Sequence, residues 1–162
     1  MIQKDYILRM TEQIAKILAR ILLNKQAGKQ EEALREIENS LKVTIGIDPL
    51  LLETLSIDDV AELLGVSKDG SAGSVKCIFA GRLLKEKAEL LAKIDEGRSK
   101  EYYHKALDLY LRGILSIGYT EMDLSGCYSE IKAIEMQLGE LISKEEMQLL
   151  SGFYQRKQNP ES

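Results

Sequence analysis

Apolar and polar positions follow the period of a helix along nearly the whole chain. In the opening MIQKDYILRMTEQIAKILARILL, Asp5, Arg9, Glu12, Gln13, Lys16 and Arg20 share one arc of roughly 100° on a helical wheel. The remaining positions form two apolar stripes: Ile7, Met10, Ile14, Ile17 and Ile21, and beside them Leu8, Ala15, Leu18 and Leu22. A helix with two such stripes touches neighbours on two sides. The first stripe also has heptad a/d spacing over about two heptads. It therefore serves either as intramolecular core or as a homodimer seam. In a third arrangement one stripe is buried internally and the other against a second copy. A membrane-surface helix would want a polar arc rich in Lys and Arg alone, and this arc has both signs. The apolar runs are too short for a signal peptide or a membrane span.

The same period recurs downstream. After a polar break, KQAGKQ, the segment EEALREIENSLKVTIG predicts a second helix with acids in its first turn and Gly46 as C-cap. Asp48-Pro49 reads as N-cap and first helical residue of a short helix through LLLET. Ser56 with Asp59 resembles a capping box for IDDVAELL, closed by Gly65. SKDGSAGS, residues 67–74, predicts a flexible loop. A long helix follows, VKCIFAGRLLKEKAELLAKIDE, capped by Gly97. Ser99 opens the next, in which Tyr103, Ala106, Leu107, Tyr110, Ile114 and Ile117 face inward, and Gly118 ends it. CYSEIKAIEMQLGEL turns Ile131, Ile134, Leu138 and Leu141 inward, and Ser143 with Glu146 makes a capping box for the last helix.

No segment alternates with period two, so the expected fold is all-α. It is an antiparallel helical array or bundle of about five longer and two short helices, since short turns make sequential helices antiparallel neighbours. Residues 1–157 form a single helical domain: an N-terminal half, 1–65, a loop, 66–73, and a C-terminal half, 74–157. A disordered tail, 158–162, follows.

Composition narrows the function classes. The chain has 162 residues, 44% hydrophobic and 30% charged, as in an ordinary globule. A net charge of -4 with mixed signs argues against nucleic acid or an anionic membrane as partner. The two cysteines, Cys77 and Cys127, have no metal-type spacing and read as buried reduced thiols of a cytoplasmic protein. The Gly-rich loop lacks the strand and GK[ST] ending of a phosphate loop. The single histidine, His104, falls on the solvent side of its helix and cannot supply two Glu-x-x-His motifs for a di-metal bundle. Neither it nor Cys77 makes a nucleophile–base arrangement. No catalytic residue, metal ligand or cofactor is expected.

Residues 101–109, EYYHKALDL, resemble the second helix of a tetratricopeptide repeat. No second copy occurs at the period of about 34 residues, so the resemblance implies one degenerate hairpin, 74–118. Tyr102, Tyr103, Tyr110 and Tyr119 then become candidates to line a peptide groove, since aromatics anchor interfaces. The opening QKDYILRMTEQ, with SIDDVAELL later, resembles a family of small bacterial proteins of unknown function. Gln3, Asp5, Tyr6, Ile7, Arg9, Met10, Glu12 and Gln13 stand where that family's N-terminal signature has them, and Thr11 departs from it. The likeness implies a helical fold and a bacterial cytoplasm, and makes Asp5 and Arg9, an i,i+4 pair, a candidate signature pair. The expectation is a non-enzymatic module that binds another protein or peptide through residues 74–142. The alternatives are a homodimer through the first helix, or a ligand carrier or enzyme with a pocket between helices.

Overall fold

A computed structural model describes residues 2–66, 71–117 and 124–158. Eight α-helices and no strand occur among the described residues: α1 (Ile2–Gln26), α2 (Gln30–Ser40), α3 (Pro49–Thr54), α4 (Ile57–Leu63), α5 (Ser71–Leu91), α6 (Glu96–Ser116), α7 (Ser125–Leu138) and α8 (Lys144–Gln158). Six are long, one more than expected. α2 runs on into a π-helical turn, Leu41–Ile45, and α7 into a 3-10 turn, Gly139–Leu141.

Several ends are set by the residues that the sequence marks. Gly46 closes the π turn with φ 91°, a conformation that a side chain disfavours. The Asp48 carboxylate accepts from the Leu50 amide, and the Ser56 hydroxyl from the Asp59 amide. Ser143 and Glu146 make both bonds of a capping box: the Glu146 amide donates to Ser143 Oγ at 3.1 Å, and the Ser143 amide to Glu146 Oε1 at 2.8 Å. Three expected boundaries move. The expected loop is helical from Ser71, and its residues 67–70 lie outside the described residues. Gly97 is no cap, because α5 ends at Leu91 and Asp95 caps α6 by accepting from the Arg98 amide. Ser99 therefore lies inside α6, and Leu141 faces solvent rather than the core. Gly118 and the tail residues 159–162 are outside the described residues.

One cluster of buried apolar side chains takes residues from all eight helices. Its centre is the antiparallel hairpin of α5 and α6. Ser74, Gly81 and Ala88 recur every seven residues on α5, and Ser99, Ala106 and Gly113 do so on α6. All six are buried. They oppose one another in pairs. Ser99 Oγ donates to the Ala88 carbonyl at 2.7 Å, and a Cβ on Gly81 would sit 3.0 Å from the Ala106 carbonyl. A Cβ on Gly113 would sit 2.6 Å from the Ser74 carbonyl. Small residues at heptad spacing let the two backbones approach closely along the full hairpin.

The other helices wrap this pair. α1 is fastened to α5 where Lys25 meets Glu86 at 2.8 Å and Glu89 at 2.5 Å, both partly buried. Arg112 joins α6 to α4 through Asp58, and also bonds Asp108 one turn back. Arg156 of α8 donates to the carbonyls of Ile114 and Ile117, capping the end of α6. No helix among the described residues is long and apolar enough to cross a membrane.

Candidate functional site

Heptad spacing puts Ile7, Met10, Ile14, Ile17 and Ile21 on one face of α1, and that face is buried within the chain. The stripe assigned to a dimer seam is therefore corrected to intramolecular core, because the chain's own helices already cover it. The second stripe is the open one. Leu8 is 58% exposed and Leu22 52%, with Ala15 and Ala19 exposed between them and Thr11 and Leu18 half-buried at its margin. Leu23 extends the apolar surface at 64% exposure. The Thr11 hydroxyl donates to its own Ile7 carbonyl at 2.7 Å, so it adds little polarity to the face. Glu12 and Lys16 flank the stripe, both exposed. Asp5 and Arg9 are exposed as well, and Arg9 Nε donates to the Asp5 backbone carbonyl at 3.4 Å. The bond within the candidate signature pair thus runs to the Asp5 main chain rather than to its carboxylate.

The candidate groove is also corrected. Tyr102, Tyr103 and Tyr110 are buried, because the face of α6 that carries them packs on the other helices. Tyr119 lies outside the described residues. Tyr110 donates to Glu130 Oε2 at 3.2 Å, and Arg82 approaches the same carboxylate at 3.2 Å. Burial pushes the hydroxyl of Tyr103 up to about 12. These tyrosines are packing residues with partnered or desolvated hydroxyls, not an open binding wall.

Tyr102 has distinctive surroundings. Its hydroxyl donates to Glu53 Oε1 at 2.9 Å, and Arg98 reaches the same oxygen at 2.7 Å. Burial first, then the Glu53 carboxylate, pushes the hydroxyl up to about 12. Three cations from α5 and α6 gather at its ring: Lys87 Nζ at 4.4 Å from the centroid, Lys105 Nζ at 4.9 Å and the Arg98 guanidinium at 6.0 Å. Lys87 is almost wholly buried and meets Glu38 of α2 at 3.6 Å.

His104 is not the free surface residue expected. Its Nδ1 lies 2.9 Å from both oxygens of Glu146, a carboxylate that is itself buried and engaged in the capping box. One turn on, burial raises the carboxyl of Asp108 despite Arg112 beside it. Sequence reasoning missed this polar stripe. The spacing of His104, Asp108 and Arg112 at i, i+4 and i+8 was its only trace. Cys77 is buried, and burial pushes its thiol up to about 12, which makes it a poor nucleophile. Among the described residues no group of His, Cys, Asp and Glu could hold a metal ion. A cleft of about 410 Å³ opens at the turn between α1 and α2, lined by Gly28, Lys29, Gln30, Glu31, Glu32 and Arg35. Its lining is polar and charged rather than the mostly apolar wall of a small-molecule pocket.

The model of a family of unknown function, DUF6483, matches residues 1–114, well over half of the chain. No curated protein and no solved structure matches it.

Proposed function

The chain belongs to the DUF6483 family of unknown function, and we propose that it is a non-enzymatic helical interaction module that pairs with a second copy of itself through the outer face of α1. The observation that carries this reading is the exposed stripe of Leu8, Ala15, Ala19 and Leu22 on a helix of 25 residues, about 37 Å long. Exposed apolar residues in sequence along one helix face mark contact surfaces more often than scattered ones do.

The stripe is complementary to itself. An antiparallel two-fold pairing centred on Ala15 sets Leu8 against Leu22 of the second copy and Thr11 against Ala19, each twice. Ala15 meets itself on the axis, where its small side chain permits a close crossing. Glu12 then comes within reach of Lys16 of the second copy, again twice. Neither residue has an ion-pair partner among the described residues. This face, rather than the tyrosines of residues 74–142, is the interaction surface of the proposal.

Sedimentation equilibrium tests it. The wild-type chain is expected to dimerise, and Leu8→Glu with Leu22→Glu to remain monomeric with unchanged helix content. A wild-type chain that stays monomeric at hundreds of micromolar overturns the proposal.

A further inference from the structure

Three carboxylates from three helices share one guanidinium and one imidazole. Arg112 of α6 bonds both Asp108, one turn back on its own helix, and Asp58 of α4. His104, one turn before Asp108, has its Nδ1 2.9 Å from both oxygens of Glu146 on α8. Asp108 is the middle residue of this face of α6. Its side chain is 13% exposed, against 76% for Asp58. Burial holds its carboxyl above the ordinary aspartate range, Arg112 opposes this, and Glu146 and Asp58 add to it through space. The Cys77 thiol of α5 is near enough to feel both Arg112 and Asp108, and burial keeps it neutral wherever carboxyls titrate.

We propose that Asp108 is a proton-operated latch: when it takes up a proton, α4 and α8 are held more tightly to α6. Coupling between sites is reciprocal. The Asp58 and Glu146 carboxylates favour a proton on Asp108, so a proton on Asp108 must favour those carboxylates where they stand. Neutral Asp108 repels neither of them, and Arg112 keeps Asp58 as its one charged partner. The neutral carboxyl still accepts from Arg112, so the contact within α6 survives. Charge is removed at the centre of the cluster, and the two contacts that reach other helices, Arg112 with Asp58 and His104 with Glu146, gain. The latch closes as pH falls. Because the fold raises the Asp108 carboxyl, its contribution to stability is complete below the ordinary aspartate value and is lost as pH rises through the folded one. α1 takes no part, so the latch holds or fails whatever the oligomeric state.

Two NMR measurements on the full chain test this. The side-chain carboxyl carbon of Asp108 is expected to titrate above the ordinary aspartate range, and a midpoint at or below that range overturns the proposal. Amide exchange, with intrinsic rates divided out, is then compared between wild type and Asp108→Asn. The amides followed are Val60 and Leu64 of α4, which donate to the Ser56 and Val60 carbonyls, and Met147 of α8, which donates to that of Ser143. Asparagine keeps an oxygen for Arg112 and carries no charge. At pH 7 the protection of these amides in Asp108→Asn should exceed wild type by at least roughly fivefold, the lower end of ordinary coupling between sites. Acidification to about pH 4.5 should raise wild-type protection toward that of the variant. Protection at pH 7 that is equal in the two chains, or lower in Asp108→Asn, overturns the proposal, as does a gain on acidification that the variant shows in full.

Discussion

A Cβ on Gly113 would lie 2.6 Å from the carbonyl oxygen of Ser74, so these two residues set how closely α6 lies on α5. The obstacle is backbone, which cannot swing aside as a side-chain tip can. Gly113→Ala should therefore destabilise the fold by about 1–3 kcal/mol through overpacking, although alanine favours a helix by ~1 kcal/mol. Gly126, on α7, has nothing within 4 Å of its would-be Cβ. Gly126→Ala should stabilise by about 0.5–1 kcal/mol. Urea unfolding of both variants checks the pair, and equal shifts of the same sign would contradict it.

The two stripes of α1 should separate in the same assay. Ile14→Ala removes a fully buried side chain and should cost about 2–5 kcal/mol. Leu22→Ala, at an exposed position, should change the unfolding of the dilute monomer by no more than about 0.5 kcal/mol. Its effect should appear only in self-association. A large loss of monomer stability on Leu22→Ala would mean that the stripes are exchanged.

Glu146 joins three elements of order: it completes the capping box of α8, holds His104 of α6, and is buried. Glu146→Ala should cost about 1–3 kcal/mol, since it frees a cap and strands a ring nitrogen. Glu146→Gln keeps much of the cap and should cost less. Thermal denaturation of the two variants at neutral pH measures the order, and a neutral Glu146→Ala would contradict it.

Alkaline pH should weaken the fold. Burial raises Cys77 from 9.0 to about 12 and Tyr102, Tyr103 and Tyr154 from 10.0 to about 12. Between the unfolded and folded values the unfolded chain has lost protons that the folded chain keeps. Stability must then fall as pH rises, beginning near 9 with the thiol and steepening above 10 with the tyrosines. Below pH 9 these groups contribute their full stability. Urea midpoints followed with tyrosinate absorbance should drop across that window, and a flat profile to pH 11 would contradict the burial of these side chains.

Much of this fold is legible in the sequence, because helix ends announce themselves through local chemistry. Asp48, Ser56 and the Ser143–Glu146 box act on backbone groups within three residues, and each does what its spacing implies. The buried stripe of α1 is equally plain, though periodicity cannot say whether the cover is the same chain or another. What stayed hidden depends on contacts distant in sequence. Ser74, Gly81 and Ala88 are small residues, and no local pattern marks them as the line along which α5 closes on α6. Tyr102 and Tyr103 are adjacent on α6, and only the surrounding helices determine that both are buried. His104 meets a carboxylate 42 residues away, which no local pattern encodes.

The most direct test of the account is cross-linking through Ala15. In an antiparallel pairing centred there, residue 15 faces its own copy, and a disulfide needs Cα atoms about 4.4–6.8 Å apart. Ala15→Cys, oxidised gently with Cys77 and Cys127 left buried, should give a covalent dimer in high yield. Leu8→Cys alone should not, whereas Leu8→Cys with Leu22→Cys should. A chain that cross-links through Leu8→Cys alone, or through none of the three, would contradict the pairing.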